Sequence, residues 1–363
     1  FLVLMHHLFD AGWSAPIRRF QEHLACLLFP WLMVAFIPIG FLGPEHIYGW
    51  MNADPATDHA LAVKQVLFNK PVWYSLTVGL FLLWGWLTHR LRYWSLQQDK
   101  AGTEAFEGRL LFPEHLFAFI TKNIQGLPYS KDNQQVLCTR MMRLHAAYGI
   151  LLFAFSLTAG AIFWMKSIQH QFFSTMYGVY YFAASVWVSI SVAWITARIL
   201  KAKGHLPMVH RQQFYYLGTL LLAFTVFYAY IHFSQYFLIW NAAIPEETFW
   251  YVLREQGTWA YVSWTIIIGH FFIPFLILLR IDGKLTNKVM VPVIIWVMLM
   301  HYVDMYFNVM PEIHKTGPEP ALADLGAMLL LGGSLAWVFI RNLFAHPLCP
   351  QKDPRMGEAI EHH

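Results

Sequence analysis

The amino-acid sequence predicts an all-α, polytopic membrane protein, and its composition and the length of its apolar segments carry that prediction. Hydrophobic residues make up 57% of the 363 residues and charged residues 13%, whereas soluble domains average about 45–50% and about 25%. So few charges cannot cover a soluble core of this size, and so many apolar residues exclude a disordered chain. The apolar runs are about 20 residues long, which suits membrane-spanning helices rather than the alternating segments of a β-barrel.

Eight full membrane spans are predicted from the apolar runs, with boundaries that carry a margin of ~2–4 residues. They lie at about residues 22–42, 71–93, 144–166, 175–200, 214–240, 259–280, 288–307 and 324–345. Residues 1–9 (FLVLMHHLF) are predicted to be the last turns of a helix already under way, so we expect the chain to begin inside a longer protein. We expect residues 1–363 to form one integral membrane domain.

The lysines and arginines indicate how the spans are oriented. The loops that alternate onto one side, together with the N-terminal segment and the C-terminal tail, hold 20 of the 25 Lys and Arg residues. Because basic loops stay in the cytoplasm, this side and the C-terminus are predicted to be cytoplasmic. We call this Lys- and Arg-rich side the inner side and the opposite one the outer side.

The loops on the two sides differ in character. The inner loop at 94–142 contains an amphipathic stretch, LFPEHLFAFITKNI, which is expected to lie along the membrane interface, and the tail at 346–363 is predicted to be cytoplasmic. The outer loops are rich in aromatic and acidic residues, which suits either a docking surface for a partner or interfacial anchoring by Trp and Tyr. In one of them, Pro followed by two acids predicts a helix start at Pro245, Glu246 and Glu247.

Ionisable side chains inside a span are candidate functional residues, since placing one in hydrocarbon costs at least ~2.5–3.5 kcal/mol. In the fifth span, four polar side chains recur at helical spacing and share one face: Tyr228, His232, Gln235 and Tyr236. This face suits an outer proton pathway. It equally suits a seam of hydrogen bonds that holds neighbouring helices together.

The seventh span ends in a second polar face, formed by His301, Asp304 and Asn308. A histidine one turn from a carboxylate is a natural proton-handling pair, because the carboxylate orients the imidazole and both groups exchange protons. We therefore assign His301 and Asp304 to the outer pathway. The alternative is a polar collar at the point where the helix leaves the membrane.

Polar residues nearer the inner side form a predicted inner pathway, which comprises Glu22, His23, His145 and, near the middle of its span, His270. Each of them alone is equally well explained as a polar residue at a helix end whose hydrogen bonds are satisfied locally. A largely apolar midplane is expected to separate the inner pathway from the outer one. His89 and Arg90 are expected to extend to the interface.

The spacing of cysteines and histidines predicts no metal site in this chain. Cys26, Cys138 and Cys349 lie far apart, without a CxxC or CxxCH, which excludes a four-thiolate iron–sulfur cluster and an attached haem c. A haem b between His232 and His301 is compatible with their depths, although a deep histidine beside Asp and Tyr suits a proton site better. No nucleic-acid partner is expected.

The segment YAYIHFSQYFLIWNAAIPEETFWY resembles the ActF-type membrane subunits of bacterial alternative complex III, within the NrfD/polysulfide-reductase-like family. The stretches SIQHQFFSTMYGVYYF and HYVDMYFNVMPE extend the resemblance over most of the chain from about residue 143 onward. It implies ten transmembrane helices around two four-helix bundles, of which this chain would hold the last eight and the end of the second. Members commonly carry an acid where this chain has Lys166, Gln169 and His170, which argues against a quinol-deprotonating carboxylate there.

The resemblance also implies partners, cofactors and a location. The chain would be a subunit of a quinol:electron-acceptor oxidoreductase in the bacterial cytoplasmic membrane, with no cofactor of its own. Its partners would be the paralogous subunit ActC, a periplasmic iron–sulfur subunit, a multihaem cytochrome c and small membrane subunits. Menaquinol or ubiquinol would be the electron donor, while haem c and iron–sulfur clusters would lie in the partners.

Three functions are compatible with these observations. In the first, the chain scaffolds periplasmic redox subunits and conducts protons through the outer and inner pathways. In the second, it binds and oxidises quinol near the outer surface, where His301, Asp304 and His232 accept the protons. The third is a secondary transporter, which interrupted spans would suit, although a transporter needs no docking loops.

Overall fold

The computed structural model of the chain describes residues 1–111, 114–115 and 134–361, and the regular elements within these ranges are helical. Of the predicted interfacial stretch in the inner loop, only Leu111, Glu114 and His115 are described. The α-helices in chain order are α1 (Leu2–Leu8), α2 (Ala15–Ala25), α3 (Trp31–Phe41), α4 (Pro44–Ile47), α5 (His59–Lys64), α6 (Lys70–Lys100), α7 (Gln134–Gly160), α8 (Tyr177–Ala202), α9 (Arg211–Ala242), α10 (Pro245–Glu255), α11 (Trp259–Ile266), α12 (Ile273–Leu279), α13 (Ile281–Leu285), α14 (Asn287–Val309), α15 (Leu322–Phe344) and α16 (Met356–Glu361).

Eight helical segments among the described residues are long and apolar enough to cross a membrane, so the chain is a polytopic helical membrane protein. They are Gly12–Phe41, Lys70–Lys100, Gln134–Gln169, Tyr177–Ala202, Arg211–Ala242, Trp259–Leu279, Asn287–Glu312 and Leu322–Phe344. Several extend beyond the predicted apolar runs, because a helix continues through polar turns that hydropathy does not detect. The inner loop predicted at 94–142 is therefore shorter at both ends, since α6 continues to Lys100 and α7 begins by Gln134.

Local sequence signals explain where the helices on the outer side begin. Asp58 accepts a hydrogen bond from the Leu61 amide at 3.1 Å and caps α5, and Asn69 caps α6 through the Val72 amide at 2.9 Å. The predicted helix start at Pro245 is confirmed: α10 begins there, with two acids in its first turn. α10 joins α9 to α11 across the outer surface.

The apolar side chains of the described residues pack in four clusters, and the two largest join different sets of helices. One cluster joins α1, α6 and α7 through residues such as Leu4, Leu87 and Met142. The larger one joins α8 to α9 and α14, and Trp187 is at its centre. α8 is the most buried span, with 56% of its apolar window inside the protein, whereas only 6% of the window of α15 is inside.

The loops assigned to each side contact one another. On the inner side, Arg18 of α2 pairs with Asp353 of the tail at 2.6 Å, and Arg19 pairs with Asp99 at the end of α6 at 2.7 Å. On the outer side, Lys64 donates to the backbone oxygen of His170 at 2.6 Å. These contacts agree with the predicted grouping of the loops into two sides.

Two π-helical turns interrupt the regular spans. Ala161–Met165 follows α7, and Ile267–Phe272 separates α11 from α12. Such turns are rare and often occur at functional sites, because the extra residue redirects the side chains around it. The second turn contains His270, which is completely buried.

A close helix approach at Gly85 provides a test of this packing. A Cβ at Gly85 would lie 2.6 Å from the Phe29 Cβ, whereas one at Gly79 of the same helix would meet nothing within 4 Å. We expect Gly85→Ala to destabilise the protein by about 1–3 kcal/mol, because overpacking forces the two segments apart. Thermal unfolding in detergent, followed by tryptophan fluorescence, measures this loss, and Gly79→Ala is the matched control. Equal midpoints for the two variants would contradict the contact.

Candidate functional site

The most unusual polar group in the membrane interior is Asp304 of α14, whose side chain is completely buried. Its Oδ1 accepts hydrogen bonds from the hydroxyls of Tyr180 and of Tyr228, the second at 2.9 Å, and a longer one from the Asn308 amide at 3.4 Å. Its Oδ2 has no hydrogen-bond partner among the described residues. The carboxyl group is thus held by three neutral donors, all at Oδ1, and keeps its other oxygen available.

Three neighbouring helices position this cluster. α14 provides Asp304 and, one turn later, Asn308; α8 provides Tyr180; and α9 provides Tyr228. The Asn308 amide donates to the Tyr180 hydroxyl at 2.8 Å, and it accepts from Tyr177 at 3.3 Å. The phenols therefore have fixed orientations, and we call Asp304, Asn308, Tyr177, Tyr180 and Tyr228 the Asp304 cluster.

Two histidines extend the cluster. His232 Nδ1 lies 3.5 Å from the Tyr228 hydroxyl. His270 is sandwiched between the rings of Trp187 and Tyr228, with centroid distances of 3.8 and 3.7 Å. Neither ring nitrogen of His270 has a hydrogen-bond partner among the described residues. The predicted place of His270 in the inner pathway is corrected: its ring stacks on Trp187 of α8 and Tyr228 of α9, so it belongs with the outer residues.

The predicted pairing of His301 with Asp304 is also corrected. The two residues are one turn apart on α14, but among the described residues no hydrogen bond or ion pair joins them. The Asp304 carboxyl instead faces the phenols of Tyr180 and Tyr228, whose hydroxyls reach it from two other helices. The Nδ1 atom of His301 is buried without a hydrogen-bond partner.

The other two residues of the predicted α9 face have different surroundings. Gln235 is buried, donates to the Tyr251 hydroxyl at 3.0 Å and accepts from Ser174 at 2.7 Å. Tyr236 is 37% exposed and meets the edge of Tyr251 at a centroid distance of 5.0 Å. Gln235 and Tyr236 therefore join α9 to α10 through Tyr251. Tyr228 is the residue of this face that contacts Asp304.

A cavity of about 660 Å³ lies beside this face, between α9, α10 and the helices of the sixth span. Tyr228, His232 and Tyr236 line one wall. The rest of the lining is mostly apolar and includes Trp264 and Phe272, together with the charged residues Arg254 and Glu255. Tyr228 therefore connects the cavity directly to the Asp304 carboxyl. Pockets of this kind, mostly apolar with a few converging polar groups, are typical of small-molecule sites.

On the inner side, His145 lies against the carboxylate of Glu114, which is not a member of the predicted inner pathway. Its Nε2 is 3.0 Å from Glu114 Oε1, and Arg90 donates to both oxygens of Glu114, at 2.9 and 2.5 Å. Burial opposes ionisation of Glu114, but the hydrogen bonds from His145 and Arg90 outweigh it and hold its pKa at about 2. Arg90, which is expected to extend to the interface, has its guanidinium on Glu114 of the inner loop.

Glu22 belongs to a separate inner ion network. It pairs with Arg18 at 2.9 Å and with Arg19 at 3.5 Å. Arg18 and Arg355 also hold Asp353, and although burial opposes its ionisation, they keep the pKa of this carboxyl well below its ordinary value. The inner ends of the spans are thus fastened to the C-terminal tail by compensated charges.

His23 completes the predicted inner set. Its ring stacks on His346 at a centroid distance of 5.4 Å, and neither of its ring nitrogens has a hydrogen-bond partner among the described residues. The inner residues therefore occupy three places rather than one path: His145 with Glu114, Glu22 with the arginines, and His23 with His346. The sequence signal for the pairing of His145 with Glu114 was that Glu114 is an isolated acid within an apolar run. Tyr180 gave no such signal, because it lies among many aromatic residues.

These features define the class of the protein: a polytopic helical membrane protein with a buried carboxyl–tyrosine cluster beside a lateral cavity. Among the described residues, no group of three or more His, Cys, Asp or Glu side chains is arranged to hold a metal ion. No known family model matches the chain, and no curated protein matches it.

The Glu114 network predicts a pH-dependent contribution to stability. The pKa of Glu114 falls from its ordinary value of 4.5 to about 2 on folding, so its contribution is complete above pH 4.5 and is lost as the pH falls toward 2. We expect Glu114→Gln to destabilise the protein by about 3 kcal/mol at neutral pH, because Arg90 loses its counterion.

Thermal midpoints measured over a pH series check this expectation. The difference between the wild-type protein and Glu114→Gln should narrow below pH 4.5. Glu104→Gln, in the same loop but exposed, is the control. A difference that stays constant down to the lowest pH would show that the Glu114 charge does not carry the effect.

Proposed function

We propose that the chain is a membrane subunit of a respiratory quinol:electron-acceptor oxidoreductase, and that the Asp304 cluster moves protons within it. The observation that carries the proposal is the Asp304 carboxyl itself, which is buried, bonded to two phenols and free at Oδ2. Ionisable groups at membrane depth are retained for ion pathways, proton relays or ligand binding far more often than for stability. The resemblance of the YAYIHFSQYFLIWNAAIPEETFWY segment to the ActF-type subunits supplies the reaction class.

The geometry offers a short route for a proton on the outer half of the protein. His232 faces the cavity and lies 3.5 Å from the Tyr228 hydroxyl. That hydroxyl donates to Asp304 at 2.9 Å. A proton that leaves the carboxyl can therefore reach the cavity through one phenol and one imidazole, without crossing apolar side chains. The inner groups, His145 with Glu114 and Glu22 with its arginines, would serve the opposite half-channel.

The proposal includes partners and a location. Electrons from menaquinol or ubiquinol would pass to iron–sulfur clusters and haem c in partner subunits, including an ActC-like paralogue, a periplasmic iron–sulfur subunit and a multihaem cytochrome. The outer loops, rich in aromatic and acidic residues, would form the docking surface. The excess of Lys and Arg on the inner side supports a bacterial cytoplasmic membrane protein with a cytoplasmic C-terminus.

Substitution of Asp304 tests the proton role. Asp304→Asn keeps an acceptor oxygen for the two phenols but cannot exchange a proton, so we expect proton translocation to fall at least about tenfold. His232→Ala should have a similar effect, because it removes the cavity end of the route. Translocation is measured with a pH-sensitive dye in liposomes that contain the whole purified complex, and quinol oxidation is measured in the same samples.

Asp282→Asn, which changes a highly exposed inner carboxylate, is the control and should leave both rates unchanged. Unchanged translocation in Asp304→Asn and His232→Ala would contradict the proton role. The tagged chain should also co-purify with haem- and cluster-containing subunits. Purification without such subunits would contradict membership in the complex and favour a transporter.

The cavity favours a second candidate function, a quinol site within this chain. Its wall combines His232, which can accept a quinol proton, and Tyr228, which can relay one to Asp304, with apolar residues such as Phe272 that suit an isoprenoid tail. In this arrangement His232 and Asp304 would take the quinol protons in turn, through Tyr228. His301 does not line the cavity, so it would not contact the quinol directly.

Filling the cavity tests the quinol site. Ala229 lines the cavity, whereas Val226 lies on the same helix, is 43% exposed and does not line it. We expect Ala229→Phe to reduce labelling of the chain by a photoreactive quinone analogue about tenfold, because the new ring occupies the binding volume. Val226→Phe should leave labelling unchanged. Equal labelling of both variants would place quinol elsewhere.

A further inference from the structure

Arg254, in the outer helix α10, is a buried cation without an acidic partner. Its side chain is 1% exposed, and among the described residues no carboxylate forms an ion pair with it. The guanidinium instead stacks on the Trp250 ring, 3.5 Å from its centroid. A buried charge without a counterion is costly unless hydrogen bonds satisfy it. The acceptors around the guanidinium therefore identify the segments that Arg254 holds in position.

All the acceptors of the Arg254 guanidinium are neutral, and two of them belong to the end of α14. Nε donates to the Phe307 carbonyl at 3.1 Å, and Nη2 donates to the Asn308 carbonyl at 3.0 Å. α14 ends at Val309, so these carbonyls are among the last four of the helix, which have no partner within it. A cation at a helix C-terminus also interacts favourably with the helix dipole.

The remaining bonds of Arg254 connect that helix end to two other segments. Nη1 donates to the Trp250 carbonyl of its own helix at 2.9 Å and to Gln169 Oε1 at 3.2 Å. Gln169 in turn donates to Glu312 at 2.8 Å. The rigid guanidinium therefore fixes α10, the end of the third span and the end of α14 against one another.

The residue that Arg254 holds by its backbone is a member of the Asp304 cluster. The Asn308 side-chain amide donates to the Tyr180 hydroxyl at 2.8 Å and to the Asp304 carbonyl at 2.8 Å. A displaced end of α14 would move Asn308, and with it the phenol that donates to Asp304. We propose that Arg254 is a positioning residue, whose forked hydrogen bonds to the end of α14 set the hydrogen bonding of the Asp304 carboxyl. The expected effect on proton transfer rests on the proposed function, whereas the positioning of the Asp304 carboxyl does not.

Infrared spectroscopy tests the placement directly. The Asp304 bands are assigned as those that Asp304→Asn removes from difference spectra recorded between an acidic and an alkaline buffer on the membrane-reconstituted protein. We expect Arg254→Gln and Arg254→Lys both to shift these bands, because neither side chain reproduces the fork of a guanidinium. Both should also speed amide hydrogen exchange at the end of α14 and reduce proton translocation about tenfold.

Lys166→Gln is the matched control, since Lys166 is also a buried outer cation but donates no hydrogen bond to α14. It should leave the Asp304 bands in place. Unshifted bands in both Arg254 variants would overturn the inference. Wild-type bands in Arg254→Lys alone would also overturn it, because a positive charge without the forked hydrogen bonds would then be enough to maintain the hydrogen bonding of Asp304. Thermal midpoints are recorded throughout, and Arg254→Lys, the milder change, decides the matter if Arg254→Gln does not fold.

The two proposals can fail separately. If Asp304→Asn leaves proton translocation unchanged while the Arg254 variants still shift the Asp304 bands, the proton role fails and the positioning role stands. If the bands do not move but Asp304→Asn abolishes translocation, the positioning role fails and the proton role stands.

Discussion

A charge removed from water has to be compensated inside the protein, and the polar architecture of this chain depends on that constraint. Taking an ion into a low-dielectric interior costs several kcal/mol, which only close counterions and hydrogen bonds offset. The inner side satisfies the constraint with direct pairs: Arg90 with Glu114, and Arg18 with both Glu22 and Asp353. These pairs fasten the inner loop and the C-terminal tail to the ends of the spans.

The outer half satisfies the same constraint differently. Asp304 is held by phenols and Arg254 by carbonyl and amide oxygens, so each buried ionisable group is surrounded by neutral partners. Neutral hydrogen bonds fix an ionisable group in place without neutralising its charge, which leaves its protonation sensitive to what enters the neighbouring cavity. The carboxylates Glu114, Glu22 and Asp353 are paired with arginines, whereas Asp304 and Arg254 have neutral partners, and this contrast is the physical reason to locate chemistry at the Asp304 cluster.

Helical periodicity found part of the candidate site and missed the rest for an identifiable reason. Tyr228 and His232 share a face of one helix, and Asp304 stands out on another, so each is visible within its own span. Tyr180 completes the cluster, but a tyrosine in an aromatic-rich span carries no signal. His270 was misplaced because a position near the middle of a span does not show which neighbouring side chains it stacks on, and these are Trp187 and Tyr228.

The sequence by itself determined the class of the protein, the approximate spans and the helix start at Pro245. Those properties are local, because hydropathy, helical period and capping act over one to six turns of chain. Only the tertiary structure decided that Asp304 meets Tyr180 and Tyr228 rather than His301, and that His145 meets Glu114. Contacts between helices depend on the rotation of each helix about its own axis, which is set by side-chain packing across the whole bundle.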